Sequence, residues 1–573
     1  MKKIFTILLL LACININAQK WGLYTLYSVQ GNNNVYLVDT NNTIYKTWTF
    51  PTNSKTGFSV YLTPGDTLVR TISYQGAVLH DGPTTGKVQK ADWNGNITWD
   101  FVYSDSTNII HHDICPMPNG NVLMIAMEVK TAAQVAQAGS SANQAENVDK
   151  ILEVHPTGPT SGTIVWEWHL WDHVCQNYNA SKDNYVSSIV NNPQLLNINY
   201  NTSRDFCHMN GIDYNAALDQ ITFSSFTFSE VFVIDHSTTT AEAAGHTGGN
   251  SGHGGDIIYR WGNPASYEAT GTAFLNVVHD AHWISADNPY FPNYLGAFNN
   301  KGGFGGRSAV DVFSPPYNGY NYNLTLGSAY GPTNYSWLYT ADTSSTNEGS
   351  TQQLNNGNSL VCLSFADSII EVNQSGNIIW RFNPGGQVAK AYRYSKCYVR
   401  GPIATASASS TQISMGTPIT LNSSATSVTE TNPTYTYSWT SIPVGFSSSV
   451  QNPSLSPSST ATYIVKITNT ALGCSDTASV SVNVNINGIN DRDNSKEVIV
   501  VYPNPTNGKL NLSGLFKGDN DLQLICSNAE GKIIMNFTNI STIDFSAFPD
   551  GVYYLTVKSG NSKIKDFKVI KSK

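Results

Sequence analysis

The sequence is poor in charge: Asp, Glu, Lys and Arg make up 13% of its 573 residues. It carries no basic stripe, and its formal net charge is −8. That balance argues against nucleic acid as a partner. Long amphipathic helical patterns are scarce, which excludes a helical bundle or an α/β barrel. Past the N-terminus no apolar run reaches bilayer length, so no membrane-spanning segment is expected. Seven of the eight cysteines lie beyond residue 18, and an odd number spread along a chain is no disulfide scaffold. One or two bridges suit an exported protein, and spacing does not choose among them. What is plentiful is Gly, Ser, Thr, Asn and aromatics, the last at 11%. That composition predicts an all-β protein with many turns.

Residues 1–18 read as a signal peptide. Lys2 and Lys3 form the charged region, residues 4–12 the apolar region, and Ile16-Asn17-Ala18 the cleavage site. A rival reading lipidates Cys13 after Leu11-Ala12, but Leu11 is bulky for that site.

Over residues 21–400 a strand pattern recurs, ending in Asp, Asn or His. It appears at 35–39, 88–92, 151–155, 231–235 and 369–373. A turn and a second strand built on Ile-x-aromatic follow, as in Ile97-Thr98-Trp99, Ile164-Val165-Trp166, Ile257-Ile258-Tyr259 and Ile378-Ile379-Trp380, with a looser copy at Ile44 to Trp48. Period-two spacing predicts that Ile97 and Trp99 share a face, and likewise Ile378 and Trp380. The copies recur at roughly 50 to 80 residues, the interval of a β-propeller blade. The gap from Asp235 to Asn373 spans two units, with the hidden copy at Val310-Asp311-Val312-Phe313. Six four-stranded blades follow, each burying its faces against its neighbours, with the Ile and Trp positions between them. Ring closure is expected between residues 21–29 and strands near 392–399.

After Gly401 the composition shifts to Ser, Thr and Ala. Residues 402–486 alternate apolar and polar, with Trp439 in one strand and Tyr463 in a later one, and resemble an immunoglobulin-like or PKD-like sandwich that serves as a spacer. No second cysteine is placed to pair with Cys474 across it. Residues 487–498 form a polar linker. Residues 499–573 open near Tyr502-Pro503-Asn504-Pro505 and end with Gly551-Val552-Tyr553-Tyr554 before a lysine-rich tail. This block resembles the type A C-terminal sorting domain of the type IX secretion system. The resemblance implies that the secretion machinery is a partner, and that the chain crosses periplasm and outer membrane to be secreted or attached to the cell surface.

Histidines recur just ahead of strands in three units: His111-His112-Asp113, Cys207-His208-Met209-Asn210 and His279-Asp280-Ala281-His282. In a propeller the innermost strands line a central channel, so His112, His208 and His279 are expected to converge on its mouth. Asp113 and Asp280 should then face the other way and brace loops. A single histidine is more often a satisfied surface residue; three at one blade phase are a candidate site. His169, His173, His236, His246 and His253 lie in long loops and have weaker claims. The glycine-rich loop 245–255 reads as a lid or an exposed loop.

The paired histidines with Pro118-Asn119-Gly120-Asn121, His208-x-Asn210 followed by Ser224-Ser225, Val233-Ile234-Asp235, Tyr259-Arg260-Trp261-Gly262 and His279-Asp280-Ala281 together resemble the bacterial arylsulfate sulfotransferase family, over about residues 21–400. The resemblance implies a six-bladed propeller. It implies transfer of a sulfuryl group from a phenolic sulfate donor to a phenol acceptor through a sulfated histidine, with no cofactor. Motif matching makes His279 the nucleophile. His112 and His208 then act as acid and base or hold the sulfuryl oxygens, and His111, Asn210, Arg260 and Arg393 bind substrate. Two departures stand out. Phe226 occupies the place of the arginine that usually follows the paired serines, with Arg260, Arg393 or Arg307 as candidate substitutes. The small β-domain that precedes the family propeller is missing.

Two other readings fit the residues. One is an adhesive or ligand-binding propeller that has lost catalysis, motivated by Phe226 and the spacer. The other is a metal site on Cys207, His208, His279 and His282, whose spacing matches no closed zinc set.

Overall fold

The computed structural model describes residues 22–572, apart from 65, 81, 428, 431, 486–498, 514–521, 530, 560 and 561. The expected signal peptide at 1–18 and the expected linker at 487–498 lie outside the described residues.

Six four-stranded antiparallel sheets follow one another along the first unit. Blade 1 takes its innermost strand from the far end of the ring. Tyr392–Tyr394 pairs with Tyr24–Tyr27, followed by Asn34–Asp39 and Ile44–Thr49. The innermost strands of blades 2 to 6 are Thr56–Thr63, Asn108–Pro116, Met209–Asn215, Val278–Trp283 and Ser350–Gln353. The hidden repeat is real: Ala309–Phe313 is the third strand of blade 5. The hairpins visible in the sequence are the outer half of each blade.

Between the blades sit the expected aromatics. Trp48, Trp99, Trp166, Tyr259 and Trp380 are all buried. Each side chain of that size removes roughly 1.5–3 kcal/mol worth of apolar surface from water. The isoleucines do not follow them. Ile97, Ile164 and Ile378 are exposed at the rim. The cause is a β-bulge in the outermost strand: Lys90 faces Trp99 but Ala91 faces Ile97, and the same slip recurs at Glu153/Val154 and Glu371/Val372. One extra residue breaks the period of two, so the expectation that Ile and Trp share a face fails.

The sandwich that follows has one sheet of Ile403–Ala408, Ile419–Thr426 and Ser454–Leu455. The other contains Tyr435–Ile442, Ala461–Asn469 and Cys474–Asn485. Leu421, Trp439, Val465 and Ile467 form its core. Cys474 is disulfide-bonded after all. Its partner, Cys397, lies outside the sandwich, in the short helix Lys396–Arg400 that follows the closing strand of the ring. Lys396 Nζ also donates to Leu472 O at 2.8 Å.

The second unit, from Val484 onward, holds a three-stranded and a four-stranded sheet around Leu510, Leu524, Phe545, Leu555 and Val569. It is a small β-sandwich of its own.

Candidate active site

Three innermost strands carry the site, and each loses its register there. Pairing slips between Ile110 and Ile114 in blade 3, between Met209 and Gly211 in blade 4, and between His279 and His282 in blade 5. Bulges re-aim side chains and recur beside active sites. The backbone around them is strained. His112 (φ 48°), His208 (φ 56°), Asp280 (φ 56°) and the β-branched Val277 (φ 56°) lie in the left-handed region. For non-glycine residues that costs about 1–2 kcal/mol each.

The slips turn histidine and neighbouring aspartate inward together, so Asp113 and Asp280 do not face away to brace loops. Both reach Lys390, at 2.5 Å and 2.6 Å from its Nζ. Lys390 also lies 3.1 Å from Tyr61 Oη, whose hydroxyl donates to Asp113 at 2.7 Å. Burial alone would lower the lysine pKa; the two carboxylates more than reverse this and hold it well above its ordinary value. The same aspartates tie neighbouring blades, since Asp113 accepts from Ile212 N–H and Asp280 from Thr351 N–H. At the other end of these strands lies a chamber of about 730 Å3, lined by Tyr61, Trp283, Tyr392 and Tyr394 among others.

On the upper side Phe58, His112, Asn210, His279, Glu348 and Lys390 line a small cavity of about 20 Å3. The rings of His112 and His208 are 4.7 Å apart between centroids. Phe226 lies 5.0 Å from His208 and 6.1 Å from His279.

Hydrogen bonding fixes the state of each imidazole. Asn300 donates its amide to Ser345 O (2.8 Å) and Glu348 O (2.7 Å), so its Oδ1 must accept from His279 Nδ1–H at 2.7 Å. His279 Nε2 is left with a lone pair, touched only by a long 3.3 Å bond from Glu348 N–H. Burial pushes the His279 pKa down to about 3, against the Asn300 bond. This imidazole is neutral. His112 is neutral too, held well below the usual histidine range by burial and by His208. Its Nδ1 meets His111 Nδ1 at 2.8 Å, and His111 Nε2 lies 2.8 Å from the Asp149 carboxylate. A carboxylate only accepts, so the His111 proton is drawn to Nε2, and His112 donates from Nδ1 and keeps a lone pair on Nε2. His208 is different. Burial lowers its pKa, but Asp205 Oδ2 at 2.5 Å from Nδ1 outweighs burial, and the net shift is upward. The group therefore contains two neutral imidazoles beside one that favours the charged form.

The structure thus brings His112, His208 and His279 together, with Asn210 beside the cavity, and gives the four residues expected to bind substrate protein partners of their own. His111 lies beneath His112 and orients it. Asn210 accepts from Ser224 Oγ–H (2.7 Å) and donates to Val278 O (2.8 Å), so its amide joins blade 4 to blade 5. Arg260 is fully buried on Glu230 of the neighbouring strand in its own blade, on Ser266 and on Pro193 O. Arg393 is buried against Glu371 and Thr25. Arg307 donates to Phe304 O instead. Among the described residues no arginine lines the cavity, so none replaces the missing family arginine there. Cys207 and His282 do not join a metal set with the site histidines: Cys207 lies in an apolar core, and His282 Nε2 bonds Gln353. His169 and His236 bridge carboxylates of the blades.

Sequence reasoning missed Asp205, Asn300, Glu348 and Lys390. Only Asp205 left a signal, a carboxylate three residues before His208.

Comparison with known proteins bears on the same segment. Residues 24–300 match the family model described as arylsulfotransferase (ASST), and residues 500–572 match the secretion system C-terminal sorting domain. No curated protein matches the chain. Among solved structures, a protein of unknown function from Bacteroides caccae is 11% identical, with 65% of this chain and 98% of that one covered at a TM-score of 0.37. A periplasmic gluconolactonase of Pseudomonas aeruginosa is 12% identical, with 65% and 98% covered and a TM-score of 0.33. A β-propeller domain of Cps50 (Swd1) from Myceliophteria thermophila is 9% identical, with 65% and 88% covered and a TM-score of 0.31. Likeness this weak says nothing of chemistry. The sorting domain marks the chain for export, to be secreted or attached to the cell surface. No helix among the described residues is long and apolar enough to cross a membrane. The propeller segment at residues 24–300 belongs to the arylsulfotransferase family, and residues 500–572 are a secretion system C-terminal sorting domain.

Proposed function

We propose that the chain is an aryl-sulfate sulfotransferase that moves a sulfuryl group from a phenolic sulfate ester to a phenol through a sulfated His279. The observation that carries this reading is the fixed state of His279. Its Nδ1–H is held by Asn300, which leaves a lone pair on Nε2, and the side chain lines the cavity. A neutral imidazole nitrogen is the nucleophile this chemistry needs.

In the first half, His279 Nε2 attacks sulfur, an N–S bond forms and the bond from sulfur to the aryl oxygen breaks. The electron pair leaves on a phenolate, which is a poor leaving group because a phenol has a pKa of about 10. His208, kept protonated by Asp205, gives that oxygen its Nε2 proton. In the second half the acceptor phenol gives its proton to the now neutral His208, its oxygen attacks sulfur, and the N–S bond breaks. His112, held neutral, leaves His208 as the one charged imidazole of the group in the first half. Glu348 N–H, released from His279 by sulfation, turns to a sulfuryl oxygen. Phe58 and Phe226 are partly exposed and swing aside for the ester, which the small cavity otherwise excludes.

The test is a two-substrate assay with p-nitrophenyl sulfate and a phenol. Parallel-line, ping-pong kinetics that vanish in His279→Ala support the proposal; equal slow release of nitrophenol by both proteins ends it.

One observation favours a second reading, a propeller that binds its ligand without turnover. Phe226 stands where the family carries an arginine, and His208 is left to meet the sulfuryl charge. Calorimetry showing binding of the sulfate ester, together with no nitrophenol release, would decide for it.

A further inference from the structure

Away from the candidate active site, on the outer strands of blades 3 and 4, a second group of ligand-bearing side chains converges. His173 closes the short 3-10 turn Leu170–His173 after the outermost strand of blade 3. His246 lies in the glycine loop at 245–255, and Asp256 immediately precedes the outermost strand of blade 4. His173 Nδ1 and His246 Nδ1 stand 3.0 Å and 2.7 Å from the same oxygen, Asp256 Oδ1. The three ligand atoms lie within 4.8 Å of one another.

The surroundings fix His173 as a metal ligand is usually fixed. Its Nε2–H donates to Ala243 O at 2.8 Å, and its ring stacks on Trp168 with an interplanar angle of 3°. An imidazole whose outer nitrogen is held by a carbonyl presents the other nitrogen's lone pair. That lone pair faces a carboxylate oxygen, an arrangement that is repulsive until a proton or a cation sits between them. A metal ion would satisfy all three atoms at once. The approach depends on Gly255, where a Cβ would meet Ala243 O at 1.9 Å and His173 Nε2 at 2.6 Å. Trp168 Nε1–H holds Gly255 O at 2.7 Å.

We propose that His173, His246 and Asp256 bind a divalent transition-metal ion of the zinc type and clip the glycine loop to the rim of blade 3. Two imidazole nitrogens and one carboxylate oxygen form a three-ligand zinc set with a fourth position left for water. Ligand distances near 2.0–2.1 Å on a tetrahedral ion place neighbouring donor atoms roughly 3.3 Å apart. The observed 2.7 Å and 3.0 Å contacts to Asp256 need a few tenths of an ångström of opening, and the two imidazole nitrogens, within 4.8 Å of each other, would settle at that same spacing. His246 is 60% exposed, so the ion has a path from solvent. The loop needs such a clip. Six of the eleven residues from Gly245 to Gly255 are glycine and none is a large apolar residue, so ordering it is entropically costly; Ser251 N–H to Asp235 at 2.6 Å and Asn250 N–H to Ser237 at 2.7 Å offset part of that cost, and an ion would tie down the His246 end as well.

The experiment uses the full chain, stripped with a chelator and reloaded with zinc sulfate. Zinc content, calorimetric affinity and melting temperature are compared in wild type, His246→Ala and His279→Ala. The expected result is one zinc per wild-type chain, retained by His279→Ala, and binding weaker by about tenfold or more in His246→Ala. Zinc should also raise the melting temperature and slow protease cutting of the loop in wild type, but not in His246→Ala. His246 is exposed, so its removal leaves the fold intact. The proposal is overturned if stripped wild type takes up no zinc, if His246→Ala binds it as tightly as wild type, or if His279→Ala loses it instead. None of these outcomes touches the sulfuryl-transfer reading, which needs no metal.

Discussion

Replacing Asp205 by Asn probes the charge state on which the proposed mechanism turns. His208 is the acid of the first half-reaction, and its pKa is raised above the ordinary 6.5 because the Asp205 bond outweighs burial. A required acid form is present below that pKa and lost as pH rises through it, so His208 sets the alkaline limb of kcat/KM, which reports the free enzyme. The acidic side is not set by His279, whose neutral form persists down to about pH 3. Asp205→Asn keeps the shape and removes the charge. A charge-assisted hydrogen bond is worth about 1.5–3 kcal/mol. The Asp205 side chain is 39% exposed, so solvent screening points to the lower figure. At about 1.4 kcal/mol per pH unit, the alkaline limb should move down by about one unit. The assay is nitrophenol release from p-nitrophenyl sulfate with saturating phenol, followed across pH in both proteins. A rate cut equally at every pH, with the limb unmoved, would refute the role given to His208.

Three further outcomes are expected. Lys390→Met strands Asp113 and Asp280 in the shaft without their cation, and breaking a buried pair in this way costs about 3–5 kcal/mol; denaturant unfolding should show a loss of that size, and a change within error would mean that the shaft is hydrated. Phe226→Arg puts a cation between His208 and His279; at about 1.5–3 kcal/mol for a charged hydrogen bond, KM for the sulfate ester should fall about tenfold or more, and an unchanged KM would exclude Phe226 from the sulfuryl position. Cys474→Ser opens a cross-link spanning 77 residues, worth about 4–5 kcal/mol in the chain-entropy model; thermal melts with and without reductant should differ for wild type and coincide for the variant.

Some of this architecture was open to reading and some was not. The outer hairpin of each blade repeats in sequence because the same interblade slot must be filled six times, so Trp99, Trp166 and Trp380 announce it. Ring closure between residues 21–29 and strands near 392–399 rests on end-to-end geometry alone, and the pairing falls on residues 392–394. The convergence of His112, His208 and His279 was legible because blade phase converts sequence position into position around an axis. What failed was alternation. Bulges beside Trp99 and beside His279 add a residue, and a rule of period two cannot see them. Asp113 and Asp280 were therefore aimed the wrong way, and the lysine between them was missed. Lys390 lies 277 residues from Asp113, and only ring topology brings the two together. Arg260 and Arg393 read in the sequence as substrate ligands, because nothing local marks Glu230 or Glu371 as their buried partners. Cys397 pairs with Cys474 across a module boundary, 77 residues apart in sequence, and no spacing rule joins two cysteines so placed.

Trapping the intermediate tests the central claim most directly. Wild-type protein is mixed with p-nitrophenyl sulfate and no acceptor, quenched under alkaline conditions, and digested for mass spectrometry. The expected result is a gain of one sulfuryl group on the peptide carrying His279, lost on adding phenol and absent from His279→Ala. Turnover with the group on another residue, or with no protein-bound sulfuryl group at any time, would contradict the account.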